Sequence, residues 1–321
     1  MINVGIIGSG GYAAGELIRC LLQHPEVEID FLYSQSQAGK KLFTVHEDLF
    51  THPHITFTDT INYEVDVAFL CLGHEHAKPF LKAHHFAANT KIIDLSSDFR
   101  LNDNSHDFMY GLVELNKSVI PQAQYLANPG CFATAIQLGL LPLAKHNLLK
   151  KDVHVHAITG STGAGQGFST TSHFSWRNNN ISIYKAFEHQ HLQEISQSVH
   201  TLQKGFDQKI NFIPVRGDFT RGIFATLYTE SSLSEEELNS IFKEYYADAT
   251  FTFITNETLS LKQVVNTNNC LIQVQKVEGK VLITSAIDNL LKGAAGQAIQ
   301  NMNLMHGLPE KMGLQFKANY Y

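Results

Sequence analysis

Cys131 follows Asn128-Pro129-Gly130, and the residue types around it suit covalent chemistry. The apolar run 125–127 reads as the end of a strand, 128–130 as a tight turn, and 132–143, rich in Ala, Leu, Ile and Gln, as a helix. The thiol then stands at a helix N-terminus, where unpaired N–H groups and the helix dipole favour a thiolate. A free thiol has a pKa of about 8.5, and helix N-termini commonly lower it. A buried packing cysteine is the alternative, so the rest of the chain must supply partners. A thiolate nucleophile needs an acid/base group, and His189-Gln190-His191 with Glu194 offers one. Residues two apart share a face only on extended chain. The two histidines therefore point together if a helix begins near His191, and Glu194, one turn on, can orient His191. Taken alone, the same residues read as a solvated helix start.

A second chemical signal is the glycine turn. Asn3 to Ile7 reads as an apolar strand, Gly8-x-x-Gly11-x-x-Ala14-Gly15 follows, and a helix runs to about His24. Between a strand and a helix, such glycines let the backbone approach a pyrophosphate held at the helix N-terminus. The next strand, 27–33, ends in Ser34-Gln35-Ser36-Gln37-Ala38-Gly39-Lys40-Lys41, with no acidic residue for a ribose hydroxyl. Hydroxyls and lysines there suit a 2′-phosphate, so NADP is expected; a solvated loop is the alternative for Lys40 and Lys41. Asp30 falls inside the strand rather than at its tip. Residues 65–73 read as a buried parallel strand. Residues 91–100 form a strand whose polar tip offers Ser97, Asp98 and Arg100, at the sheet edge where ligands bind, or simply make a turn. Gly160-Ser161-Thr162-Gly163-Ala164-Gly165 offers backbone N–H groups to a phosphate or carboxylate, or is a flexible hairpin. His173 to Asn180 reads as a loop, with Arg177 able to meet an anionic substrate.

The elements that must position these residues fit a chain of 321 residues, long enough for two domains. Hydrophobic content of 44% and charged content of 17% describe a globular protein. A net charge of −6 without a basic stripe argues against nucleic acid or a membrane surface as partner. Four scattered cysteines make no CxxC pair, and the 17 histidines include no HExxH helix, so no metal site is expected. The first strand begins near Ile2, which leaves no room for a signal peptide, and no apolar run is long enough to span a bilayer, so a cytoplasmic location is expected. Strands at 211–215 and 221–228, a capping box at Ser234–Glu237 opening a helix, a hairpin of 271–276 with 280–285, and a small-residue helix over 286–303 complete the chain. The expectation is an α/β protein. A Rossmann dinucleotide-binding domain covers 1–130, completed by a C-terminal helix and tail over about 290–321. An α+β domain with a mixed or antiparallel sheet covers 131–289.

In combination these motifs make the chain resemble the N-acetyl-gamma-glutamyl-phosphate reductases, relatives of aspartate-semialdehyde dehydrogenase. The likeness rests on 8–17, 94–100, 110–115, 127–134, 160–165, 189–195, 221–228 and 288–308. Asn-Pro-Gly-Cys and Asp-Asn-Leu-x-Lys-Gly-Ala-Ala-Gly-Gln are together highly specific. The resemblance implies Cys131 as nucleophile, and His191 as acid/base with His189 and Glu194 beside it, which of the two histidines carries the proton being open. It implies NADP held by Gly8, Gly10, Gly11, Tyr12, Ala13, Ser34, Ser36, Lys40, Gly163 and Asn289. It implies a small acyl-phosphate substrate met by Ser97, Arg100, Asn128, Ser161, Arg177 and Arg216, and a homo-oligomer, dimer or tetramer. The reaction implied is reduction of an N-acyl-glutamyl phosphate to its semialdehyde in arginine biosynthesis, through a thioester on Cys131. An aspartate-semialdehyde or lysine-pathway acyl-phosphate reductase is the rival, and a non-catalytic NADP-sensing regulator a distant one. The chain departs from many family members at Phe132-Ala133, at Gln166, and at Val215-Arg216 after Pro214. These positions bear on the N-acyl group, acetyl or, with an extra carboxylate meeting Arg177 or Arg216, succinyl.

Overall fold

A computed structural model describes residues 1–321, and the chain divides into two compact units. The first holds Met1–Pro129 and Ala294–Gln315; the second holds Gly130–Gly293 and Phe316–Tyr321.

The first unit opens with strand β1 (Ile2–Ile7), helix α1 (Tyr12–Leu21) and strand β2 (Val27–Tyr33). Strand β3 (Val67–Leu70), helix α2 (Ala77–Ala83), strands β4 (Lys91–Asp94) and β5 (Met109–Tyr110), helix α3 (Val113–Asn116) and strand β6 (Tyr125–Ala127) follow. The six strands run in the order β2-β1-β3-β4-β6-β5, and every pairing is parallel. Helices must then cover both faces, which explains why β3 is Val-Ala-Phe-Leu with every residue buried. Ile7, Phe31, Ala68, Leu70, Ile92 and Ala127 share one core cluster of this sheet.

The second unit starts with α4 (Cys131–Lys145), one residue earlier than the sequence suggests. Pro142 lies inside this helix and has no N–H for the carbonyl of Leu138. The hydroxyl of buried Tyr246 donates to that carbonyl instead, at 2.5 Å, so the gap is closed. Next come β7 (Val153–Thr159), the short helix α5 (Phe174–Arg177), the edge strand β8 (Ser182–Ile183), α6 (His191–Leu202), β9 (Ile210–Arg216), β10 (Ile223–Glu230), α7 (Glu235–Tyr245), β11 (Thr252–Thr255), β12 (Cys270–Val277) and β13 (Lys280–Ile287). Ser234 and Glu237 make the expected capping box at the start of α7. The sheet order is β11-β12-β13-β10-β7-β9-β8, with both parallel and antiparallel pairs. Two expectations need correction. The segment 173–180 is not all loop, because α5 lies within it. Ala286 and Ile287 are not helical, because they pair with β10 as the end of β13. A π-helical turn, Leu291–Ala295, then leads into α8 (Gly296–Met305), which returns to the first unit. The last six residues, Phe316–Tyr321, belong to the second unit.

Candidate active site

Cys131 is the first residue of α4 and His191 the first of α6, and one carboxylate joins the two helix starts. Glu194, buried in the first turn of α6, accepts the N–H of Gly130, the N-cap of α4, at 3.1 Å. Its other oxygen stands 3.8 Å from Nε2 of His191, too long for a strong hydrogen bond but close enough to orient the ring. Nδ1 of His189 accepts the N–H of His191 at 3.2 Å, and the two rings lie 4.5 Å apart at 74°. Phe132 packs edge-on against both, with centroids at 5.4 Å from His189 and 6.3 Å from His191. The starts of α4 and α6 are thus tied together through Glu194, and helix N-termini favour anions.

Backbone sterics hold the thiol from another side. Asp288 is fully buried, receives Nε of Arg221 at 3.1 Å, and accepts the N–H groups of Leu290 and Leu291 at the start of the π-helical turn. The N–H of Gly293 reaches back to the Asp288 carbonyl at 2.9 Å. A Cβ at Gly293 would stand 2.7 Å from Cβ of Cys131 and 3.1 Å from its Cα, so only glycine fits without moving Cys131.

The sequence matches the semialdehyde dehydrogenase NAD binding domain over residues 3–123 and the semialdehyde dehydrogenase dimerisation domain over residues 131–289. An N-acetyl-gamma-glutamyl-phosphate reductase of Christiangramia forsetii is 60% identical over 321 residues, covering 100% of both chains. The chain belongs to the N-acetyl-gamma-glutamyl-phosphate reductase family. Members from Flavobacterium johnsoniae, 60% identical with 99% of each chain covered, and Bacteroides fragilis, 56% identical with 100% of each covered, are similar along their whole length. An aspartate semialdehyde dehydrogenase II from Vibrio cholerae, solved with ASA, shares the fold at a TM-score of 0.73 and 16% identity, covering 96% of this chain and 98% of its own. One from Candida albicans, solved with NADP, has a TM-score of 0.70 at 14% identity, covering 95% and 99%.

The first unit fits the dinucleotide that the family's NAD-binding domain takes. Gly8 has φ +79°, and a Cβ there would stand 2.7 Å from the Cys71 carbonyl, so the turn requires glycine. Helix α1 begins at Tyr12 with Gly11 as an extended N-cap and no side chain capping it. A Cβ on Gly11 would meet nothing within 4 Å, which leaves a cradle at the N–H groups of Tyr12 and Ala13 of the kind a pyrophosphate fills. At the β2 tip, Oγ of buried Ser34 lies 3.5 Å from Oγ of Ser36, while Nζ of Lys40 rests on Gln37 at 2.9 Å. Asp30 is occupied lower in the strand by Asn62, at 3.0 Å.

The remaining expected residues fall into separate groups. Asn128 and Arg100 form one in the first unit. Nε of Arg100 donates to the Asn128 carbonyl at 2.9 Å and its NH2 to Leu95 at 3.0 Å. Nδ2 of Asn128 donates to Ala294, and its Oδ1 accepts from Asn301. The Ser97 N–H meets His74 at 3.2 Å, whereas Asp98 accepts the N–H groups of Glu75 and Lys78 and so fixes the entry to α2. Ser161, Gly163 and Asn289 gather in the second unit, where buried Asn289 accepts the Gly222 N–H at 2.7 Å and donates to Thr162 at 3.1 Å. Arg177 is buried, with its NH1 on the carbonyls of Arg216 and Gly217 and its NH2 on Ser182. Its guanidinium is lowered from the ordinary arginine value by burial and by the Arg216 charge.

Sequence reasoning missed Tyr184. Its ring lies 5.9 Å from that of His189, and the Arg216 guanidinium sits 4.7 Å over its face. Burial first, and the charge of Cys131 second, push its hydroxyl well above the ordinary phenol value, so it remains a donor. The available signal was its place five residues before His189, on chain that continues from β8.

Proposed function

We propose that this protein reduces an N-acyl-γ-glutamyl phosphate to the N-acyl-glutamate semialdehyde, with release of phosphate and with NADPH as reductant. The carrying observation is the Glu194 carboxylate, which ties the helix start bearing Cys131 to the one bearing His191. The Cys131 thiolate attacks the acyl carbon, and the phosphate leaves from beside two helix N-termini. NADPH, when bound, supplies the hydride that takes the Cys131 thioester to the aldehyde level. His191, steadied by Glu194, takes the thiol proton and returns one as the aldehyde departs; His189 fixes the His191 backbone and is the alternative carrier. Tyr184, beside His189 and protonated, is read as a further donor for the substrate oxygen.

Gly8, Gly10, Gly11, Tyr12 and Ala13 are read as the pyrophosphate turn, Ser34, Ser36 and Lys40 as the 2′-phosphate end, and Gly163 and Asn289 as the nicotinamide side. Ser97, Arg100, Asn128 and Ser161 are read toward substrate and phosphate. Relatives 54 to 60% identical carry the N-acetyl name, which supports the acetyl substrate. A second reading, an N-succinyl substrate, is favoured by one observation: the Arg177 and Arg216 guanidinium charges lie close enough for one to disfavour the other, and a carboxylate beside them would relieve that repulsion. The match to a dimerisation domain supports a homo-oligomer, to be measured by sedimentation. The reading implies a cytoplasmic enzyme, and no helix of the chain is long and apolar enough to cross a membrane.

The test is phosphate-dependent NADP⁺ reduction with N-acetyl-, N-succinyl- and unacylated glutamate semialdehydes side by side. The acylated forms should turn over, and Cys131→Ala should abolish the reaction. A fully active Cys131→Ala protein would end this reading, and preference for an unacylated or shorter semialdehyde would move it to the aspartate-type chemistry.

A further inference from the structure

One buried histidine lies outside the chemistry described above and reaches the glycine turn from a distant stretch of chain. His46 sits between two short 3₁₀ turns, Leu42–Thr44 and Glu47–Leu49, and is 7% exposed. Its Nε2 lies 2.8 Å from the carbonyl oxygen of Ser9, the residue after Gly8. A carbonyl only accepts, so Nε2 carries the proton and donates. The residue is held in place, since its backbone N–H bonds the Leu42 carbonyl at 2.9 Å and the Phe57 ring lies 6.1 Å, centroid to centroid, from the imidazole. Gly15 makes room for it. A Cβ at Gly15 would stand 2.7 Å from Nδ1 of His46.

Every polar group of Ser9 is thereby turned inward. Its N–H and hydroxyl both donate to the Tyr33 carbonyl, at 3.2 and 3.0 Å, and its carbonyl accepts from His46. In a trans peptide the C=O and the following N–H point in opposite directions, and the chain has no cis peptide. Pinning the Ser9 carbonyl to His46 therefore turns the Gly10 N–H the other way, away from the imidazole. We propose that His46 is a positioning residue of the cofactor site: it locks the Ser9–Gly10 peptide so that the Gly10 N–H joins the donors offered to a dinucleotide pyrophosphate. The proposal rests on the reading of residues 8–15 as the pyrophosphate turn. It also gives Gly15 a reason that helix packing alone does not supply.

The experiment measures binding, not turnover. NADPH and adenosine 2′-monophosphate, which lacks the pyrophosphate, are titrated by calorimetry into the full-length protein and its His46→Phe, His46→Gln and Gly15→Ala variants. Phenylalanine keeps the ring volume without the donor, whereas the amide nitrogen of glutamine can reach the position of Nε2. NADPH should bind roughly tenfold more weakly to His46→Phe, the worth of one lost hydrogen bond, and within about threefold of wild type to His46→Gln. Gly15→Ala, which pushes the imidazole off, should follow the phenylalanine variant. Affinity for adenosine 2′-monophosphate should hold within about twofold throughout. Equal losses for both ligands would reduce His46 to a general structural role, and an unchanged NADPH affinity in His46→Phe would overturn the proposal. A wild-type protein that binds neither ligand would instead overturn the cofactor reading on which it rests.

Discussion

Glu194 does two jobs with two oxygens, and they can be separated chemically. One oxygen accepts the Gly130 N–H and the other faces His191. Glutamine keeps an acceptor for Gly130 but removes the negative charge that faces the His191 imidazole. Glu194→Gln should therefore fold normally yet lose about tenfold in kcat, against about 10²–10⁴ for His191→Asn, which removes the group proposed as acid/base. A Glu194→Gln enzyme with wild-type kcat would show that only the hydrogen bond to Gly130 matters. Gly293 gives a steric counterpart. An added methyl group at 2.7 Å from Cβ of Cys131 must displace the helix start that carries the thiol. Near-attack geometry is lost steeply with misplacement, so Gly293→Ala should lower kcat by about a hundredfold. Circular dichroism would show an unchanged fold, and iodoacetamide labelling of Cys131 would report the displaced thiol; equal labelling and turnover would refute the packing argument.

At the scale of elements, what could be foreseen was what local chemistry dictates. Pro129-Gly130 punctuates the chain so strongly that strand β6 and the start of α4 follow from composition. The spacing of His189, His191 and Glu194 likewise marks the first turn of α6. What stayed hidden depends on partners far along the chain. Tyr184 matters because Arg216 lies over it, and His46 because Ser9 lies beneath it; neither contact leaves a periodic trace. The run 286–303 misled for another reason: small residues suit a strand end, a π-helical turn and a helix equally, and pairing with β10 decided its first two positions. Strands β9 and β10 follow each other in sequence, but β7 lies between them, a long-range choice invisible to local pattern. Helix α4 shows the same dependence in energetic form. Pro142 is tolerated because Tyr246 donates to the Leu138 carbonyl from α7's C-terminal end. Tyr246→Phe leaves a buried carbonyl without that donor and should cost about 1–3 kcal/mol in urea unfolding; a change below about 0.5 kcal/mol would mean the carbonyl finds another donor.

For the molecule as a whole, stability against pH is set by buried groups whose tendencies oppose each other. In the first unit His24 is neutral, with Nδ1 accepting the Glu26 N–H and Nε2 facing Oδ1 of Asn303, and burial lowers its pKa from the ordinary histidine value of 6.5. The unfolded chain therefore takes up that proton first, and stability is lost as pH falls below 6.5. Asp94 acts in the opposite sense. It is completely buried under the turn that leads to Cys131, where its backbone carbonyl accepts the Asn128 N–H and its side chain accepts from Ser96. Burial raises its pKa to about 6 from 3.8, outweighing the Ser96 hydrogen bonds and the Arg100 charge. Between these two values the folded state holds the proton more tightly than the unfolded state. Stability from this group is thus greatest below pH 4, declines as pH rises toward 6, and stays lower above it. The full decline is on the order of 3 kcal/mol. Asparagine does not ionise, and it can still accept the Ser96 N–H while its amide donates to the Ser96 hydroxyl. Asp94→Asn should therefore remove the declining limb and leave the histidine limb, so its stability relative to wild type rises between pH 4.5 and 7. Urea unfolding across that range measures the difference directly. Parallel curves for the two proteins would mean that Asp94 ionises in the fold as freely as it does in the unfolded chain, and that the turn before Cys131 is wetter than its burial implies.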